Sequence, residues 1–96
     1  MDKLQLNIIS PECLLFTGEV ENVCLPGTAG AFSILPHHAP IVSSLGPGRV
    51  TYVVDGNEHA IDIQSGFVEL SNNVVDVCIE NAMDTQYEKK EYEKSV

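Results

Sequence analysis

Apolar and polar residues alternate along most of this chain. Leu4, Leu6 and Ile8 share one parity while Lys3, Gln5 and Asn7 take the other, the pattern of a half-buried antiparallel strand that Ser10-Pro11-Glu12 ends. The next run, Leu15 to Leu25, places Val20 on an even position but Val23 and Leu25 on odd ones. Because a one-residue slip turns every side chain over, this change of parity predicts a β-bulge near Glu21-Asn22. Pro26-Gly27 closes that run, and the small residues Thr28-Ala29-Gly30-Ala31 are expected to form a loop before Phe32. Further on, Val50, Tyr52 and Val54 line one side of a strand that ends in the hairpin signal Asp55-Gly56-Asn57. The return strand carries His59, Ile61 and Ile63 on one face. Parity changes again across Ser65-Gly66, where glycine fits a bend or a close backbone approach, and Val68 and Leu70 follow. Asn72-Asn73 turns the chain into Val75, Val77 and Ile79.

Short strands separated by turns at this spacing predict an all-β fold, an antiparallel β-sandwich or flattened barrel, over residues 1–84. The pattern changes at Thr85-Gln86-Tyr87-Glu88, which reads as a capping box before Lys89 to Lys94. Residues 85–96 are therefore expected to be a short helical or frayed tail, below the roughly 12–15 residues at which an isolated helix holds in water. No apolar run approaches the roughly 20 residues a bilayer span needs, and no signal-peptide core follows Met1, so the chain is expected to stay in the compartment where it is made.

Charge narrows the function. The formal net charge is −9, and Arg49 is the only lysine or arginine between Lys3 and Lys89. Such a body cannot neutralise phosphates, so nucleic-acid binding and direct adsorption to anionic lipid are both disfavoured. The three cysteines, Cys13, Cys24 and Cys78, are odd in number and widely separated, which points to free thiols rather than a disulfide framework.

Between two strand-like runs lies Pro36-His37-His38-Ala39-Pro40. Proline fixes φ near −65° at both ends and biases Leu35 and Ala39 toward extended backbone, so a stiff, histidine-bearing corner is expected. It is read either as a corner that only turns the chain or as a surface kept in shape for a partner. Catalytic machinery is not legible: neither a phosphate-binding glycine loop nor a G-x-S-x-G elbow occurs. Glu19 and Glu21 read as a solvated face and His59 as a partly buried edge residue, so no catalytic, cofactor-binding or metal-binding residue is assigned. Two other classes stay open: a free-standing sandwich that binds a small ligand or carbohydrate, and a hydrolase or metal enzyme using His37, His38 and Cys24. The first expects an aromatic platform, yet tryptophan is absent.

The ordered motifs resemble a family. Leu4-x-Leu6-x-Ile8-Ile9-Ser10, Phe16-Thr17-Gly18-Glu19-Val20-Glu21-Asn22-Val23, Gly27-x-x-Gly30 and Ile34-Leu35-Pro36-His37-His38-Ala39-Pro40 are followed in register by Pro47-Gly48 and Ser65-Gly66-Phe67-Val68-Glu69. Together they are similar to the N-terminal sandwich domain of the epsilon subunit of F-type ATP synthases, called delta in mitochondria, over residues 4 to about 84. The resemblance implies a non-catalytic rotor part of the central stalk, without cofactor, that docks on the gamma subunit and on the c-ring and couples rotation to ATP synthesis. It implies a peripheral place on the cytoplasmic side of the inner membrane. Carried over by position, Thr28, Ala29, Gly30, Ala31, Phe32 and His38 fall where the family meets the c-ring. Ser10, Ala39, Pro40, Ile41, Val42 and Ser43 fall where it meets gamma. Two departures stand out. Ala29 and Ala31 occupy a loop that is often acidic in the family, so ring contact here is expected to rely on backbone and shape. The family's C-terminal helical hairpin has no counterpart beyond about ten residues, so its inhibitory role and its nucleotide site are not carried over.

Overall fold

A computed structural model describes residues 2–82, and every regular element in them is a strand. The strands are β1 Leu4–Ile9, β2 Leu14–Val20, β3 Val23–Gly27, β4 Gly30–Ile34, β5 Ile41–Leu45, β6 Gly48–Val54, β7 Asn57–Ser71 and β8 Val74–Ala82. The tail expected over 85–96 and the boundary at 84 lie outside the described residues.

Two layers form the sandwich. One runs β2-β1-β8-β7-β5, and the other is built from β4, β3, β6 and the first half of β7. The 15-residue β7 belongs to both: Asn57 to Ile63 pair with β6, and Gly66 to Leu70 pair with β5. The switch falls at Ser65-Gly66, where the β7–β8 register slips, as the parity change predicts. Apolar side chains of both inner faces make the core. Leu4, Leu6, Ile8, Val20, Val68, Leu70, Val75 and Val77 come from the first layer, and Val23, Leu25, Ile34, Val50 and Ile63 from the second, each at most 1% exposed. At about 1.5–3 kcal/mol per fully buried aliphatic side chain, this is the main source of stability. Phe16 and Tyr52 join the layers with ring centroids 4.6 Å apart.

The structure corrects four expectations. Glu21-Asn22 is not a bulge but a break between strands: Val20 ends pairing with β1, and Val23 begins pairing with β4 and β6. The chain crosses between layers there, pinned by Glu21 N–H to Val53 O (2.8 Å) and Val53 N–H to Asn22 O (3.3 Å). Parity changes because the inner face now belongs to the other layer. Thr28 to Ala31 are not all loop either, since Gly27 pairs with Gly30 and only Thr28-Ala29 make the turn. Nor is the sandwich wholly antiparallel, because β1 lies parallel to β8, with Leu6 opposite Val75 and Ile8 opposite Val77. Finally, His59 is exposed and stacks on its cross-strand partner Tyr52 at 5.5 Å.

The tight turns follow local chemistry. Asp55 (φ 50°) and Gly56 (φ 79°) are both left-handed, as a two-residue hairpin of the primed type requires. Asn72 (φ 52°) and Asn73 (φ 63°) repeat the arrangement between β7 and β8.

Candidate docking surface

The proline corner is a built feature. His38 N–H donates to Leu35 O (3.2 Å) across Pro36-His37, and His37 has φ 70°. Proline in second place and a left-handed residue in third mark a type II turn, a position that favours glycine. Two contacts hold His37 there: its N–H donates to the Asn73 side-chain oxygen (2.7 Å), and its Nε2 meets Asp2 Oδ2 at 2.5 Å. His38 Nδ1 lies 2.8 Å from Ala39 O. The corner thus sits at one end of the sandwich, against the β7–β8 turn and the start of β1.

Thr28 to Phe32 occupy the opposite end. Thr28 N–H donates to Ser44 O (3.1 Å), the two hydroxyls lie 2.8 Å apart, and Gly46 N–H donates to Pro26 O (2.8 Å). The length of β5 separates this hairpin from the corner, about 13 Å at the usual rise per strand residue. The structure therefore groups Thr28, Ala29, Gly30 and Ala31 at one exposed tip, with Phe32 packed against the core, and leaves His38 apart from them.

The positions assigned to gamma divide by strand alternation. Ile41 and Ser43 stand opposite Leu70 and Val68 on the inner side of β5, whereas Val42 points outward and is 75% exposed. Ala39 and Pro40 are exposed beside it. Ser10 is buried, its hydroxyl closing the Ser10–Cys13 loop by accepting Cys13 N–H (3.2 Å) and meeting Cys13 O (3.1 Å). Its role is to shape that loop.

Register brings together residues that alternation alone does not. On the outer face of the first layer, Ser44, Phe67, Cys78, Ile9 and Leu14 form one row across β5-β7-β8-β1-β2. Beside it runs Val42, Glu69, Asp76, Asn7 and Thr17, where Asn7 donates to Asp76 (2.8 Å) and accepts from Thr17 (2.7 Å). Phe67, Ile9, Leu14 and Val42 are all exposed, so an apolar band crosses this sheet with a polar, partly acidic border. Exposed apolar residues aligned in this way make the face a candidate interaction site. Ile8-Ile9 and Phe67-Val68, doublets that interrupt strict alternation, are the sequence signal for it. Burial, with Asp76 and Glu69 nearby, pushes the Cys78 thiol up in pKa, so it stays protonated at neutral pH and is a weak nucleophile.

Electrostatics leave this surface acidic. Both described lysine and arginine side chains are paired, Lys3 with Asp55 (3.7 Å) and Arg49 with Asp62 (2.7 Å). That bond and charge hold the Asp62 carboxyl below its ordinary range. An open groove of about 830 Å³ is lined by Asp2, Lys3, Glu19, Glu21 and Pro36. His37, His38 and Cys24 do not converge. Cys24 lies on β3 with its sulfur 3.1 Å from Ser33 Oγ, and no group of three metal-ligating side chains forms among the described residues.

The comparisons with known proteins agree with this architecture. A family model described as the ATP synthase delta/epsilon chain β-sandwich domain matches residues 3–85. The chain belongs to that family. A protein of Maricaulis maris named ATP synthase epsilon chain is 40% identical over 82 residues, covering 85% of this chain and 62% of its own length. One of Leptospira interrogans with the same name is 35% identical over 94 residues, covering 93% and 74%. This chain thus spans less than two thirds of the Maricaulis protein. Among solved structures, a chain of the Euglena gracilis mitochondrial ATP synthase OSCP/F1/c-ring assembly superposes with TM-score 0.78 at 20% identity, over 97% of this chain and 63% of that one. A chain of the Tetrahymena thermophila ATP synthase central stalk/c-ring gives 0.72 at 12%, over 88% and 69%. At these identities the superpositions establish the fold.

Proposed function

We propose that this chain is a non-catalytic rotor subunit in the central stalk of an F-type ATP synthase, coupling rotation to ATP synthesis by docking on gamma and on the c-ring. The observation that carries the reading is the apolar band Phe67–Cys78–Ile9–Leu14 with Val42 at its border, a sheet face with the register and exposure of a docking surface, in a chain of the epsilon family. Gamma covers this face, reaching Ala39 and Pro40 at the corner end and the loop that Ser10 shapes at the other. The hairpin tip Thr28-Ala29-Gly30-Ala31, uncharged and fixed to β5 by its backbone, meets the polar loops of the c-ring by shape. The protein is then peripheral on the cytoplasmic side of the inner membrane and is held there by its partners, since an acidic body without unpaired lysine or arginine among its described residues gains nothing from anionic lipid.

The test is association. Mixed with its gamma subunit, the full chain should co-elute as a complex, and Val42→Asp should weaken that complex about tenfold or more by placing a charge in a dry apolar contact. Persistent separation of the wild-type chain from gamma at micromolar concentration refutes the reading.

A further inference from the structure

We infer that Asn73 is the positioning residue of the proline corner: from a turn 36 residues away, its side chain holds the backbone of His37 in the left-handed conformation that aims the corner. The inference rests on the reading of the corner as part of the gamma contact.

Three observations meet at this residue. The third place of the corner's turn calls for glycine, yet histidine stands there with φ 70°, a conformation that a side-chain-bearing residue adopts only when its surroundings hold it. The Asn73 oxygen accepts the His37 N–H at 2.7 Å, the only hydrogen bond that His37 backbone N–H makes among the described residues. Asn73 is itself left-handed at φ 63°, and its main-chain oxygen accepts Gln5 N–H at 2.9 Å. One residue therefore ties together the β7–β8 turn, the first paired residues of β1 and the corner.

The turn alone does not explain asparagine. Glycine serves a left-handed hairpin position at least as well, and asparagine is tolerated there because its short polar side chain bonds locally. At Asn73 the side chain reaches out of the turn instead. Its neighbour Asn72, left-handed at φ 52°, shares the turn but makes no such bond among the described residues. The two asparagines have the same backbone and different duties.

This difference defines the experiment, on the full chain. Asn73→Gly keeps the backbone conformation and the Gln5 bond but removes the acceptor, Asn73→Asp keeps an acceptor, and Asn72→Gly is the matched control. Amide hydrogen exchange at His37, read by NMR, should speed up about fivefold or more in Asn73→Gly and stay near wild type in Asn73→Asp and Asn72→Gly. Gamma affinity should fall by a similar factor in Asn73→Gly alone, with the melting temperature little changed. In a His37→Gly background, where the left-handed backbone needs no holding, Asn73→Gly should add little. Equal behaviour of Asn73→Gly and Asn72→Gly in the exchange measurement overturns the inference and leaves Asn73 a turn residue only. Failure of the wild-type chain to bind gamma overturns the functional reading instead, while the exchange measurement still decides the role of Asn73.

Discussion

Of the seven glycines, Gly66 leaves the least room for a side chain. It sits where β7 passes from one layer to the other, opposite Leu45 on one side and Ile79 on the other, and the β7–β8 register slips at this step. A Cβ placed there lies 2.4 Å from Cys78 O and 3.2 Å from Ile79 Cα, the first about 1 Å inside ordinary van der Waals contact. Both obstacles are backbone of a central strand, so relief requires moving β8 rather than rotating a side chain. Overpacking of this kind costs about 1–3 kcal/mol, and Gly66→Ala belongs at the upper end because paired strands flank the site on both sides. With a melting shift of about 4–8 °C per kcal/mol for a domain of this size, Gly66→Ala should melt about 10–20 °C below wild type. Urea titration and calorimetry measure the loss. Gly18→Ala is the control, because its Cβ meets only the far end of the Phe16 ring, at 3.1 Å, and that ring can move. Should Gly66→Ala fall within about 0.5 kcal/mol of wild type, the size usual for an unconstrained surface change, the backbone-clash argument is wrong.

Cysteine reactivity separates the thiols: exposed Cys13 should alkylate first at neutral pH and Cys78 much more slowly, with gamma binding slowing it further. Equal rates for the two would contradict the placement of Cys78. The Arg49–Asp62 pair gives a signed pH dependence. Because Arg49 lowers the Asp62 carboxyl in the folded state, its stabilisation is present above the ordinary carboxylate value of about 3.9 and is lost as pH falls through the lowered one. Asp62→Asn should flatten the stability curve in that acid window, and an unchanged curve would mean that the exposed pair contributes nothing.

Local signals in the sequence mapped onto local structure. The alternation of Leu4, Leu6 and Ile8, the primed turns at Asp55-Gly56 and Asn72-Asn73, and the slip at Ser65-Gly66 all appear where periodicity places them. Pairing between distant strands did not follow, because period 2 says which face a residue takes and nothing about which strand lies beside it. The parallel β1–β8 pair was invisible for that reason, and so was the apolar row that it completes by setting Ile9 beside Cys78. At Glu21-Asn22 the parity change is real, but a bulge and a change of layer write the same pattern. The stiffness of the corner was legible from its prolines, whereas the residue that holds His37 lies in a hairpin turn whose asparagines look ordinary.

The parallel run of β8 alongside β1 decides where attachments can be made. Asp2 lies at the corner end, in contact with His37, while Ala82 ends β8 beyond the level of Ile9, at the far end. An affinity handle or fluorophore fused ahead of Asp2 would crowd the corner and disturb its hold on His37. β8 instead leaves the described fold at the other pole, so a handle carried beyond it starts away from the Asp2–His37 contact.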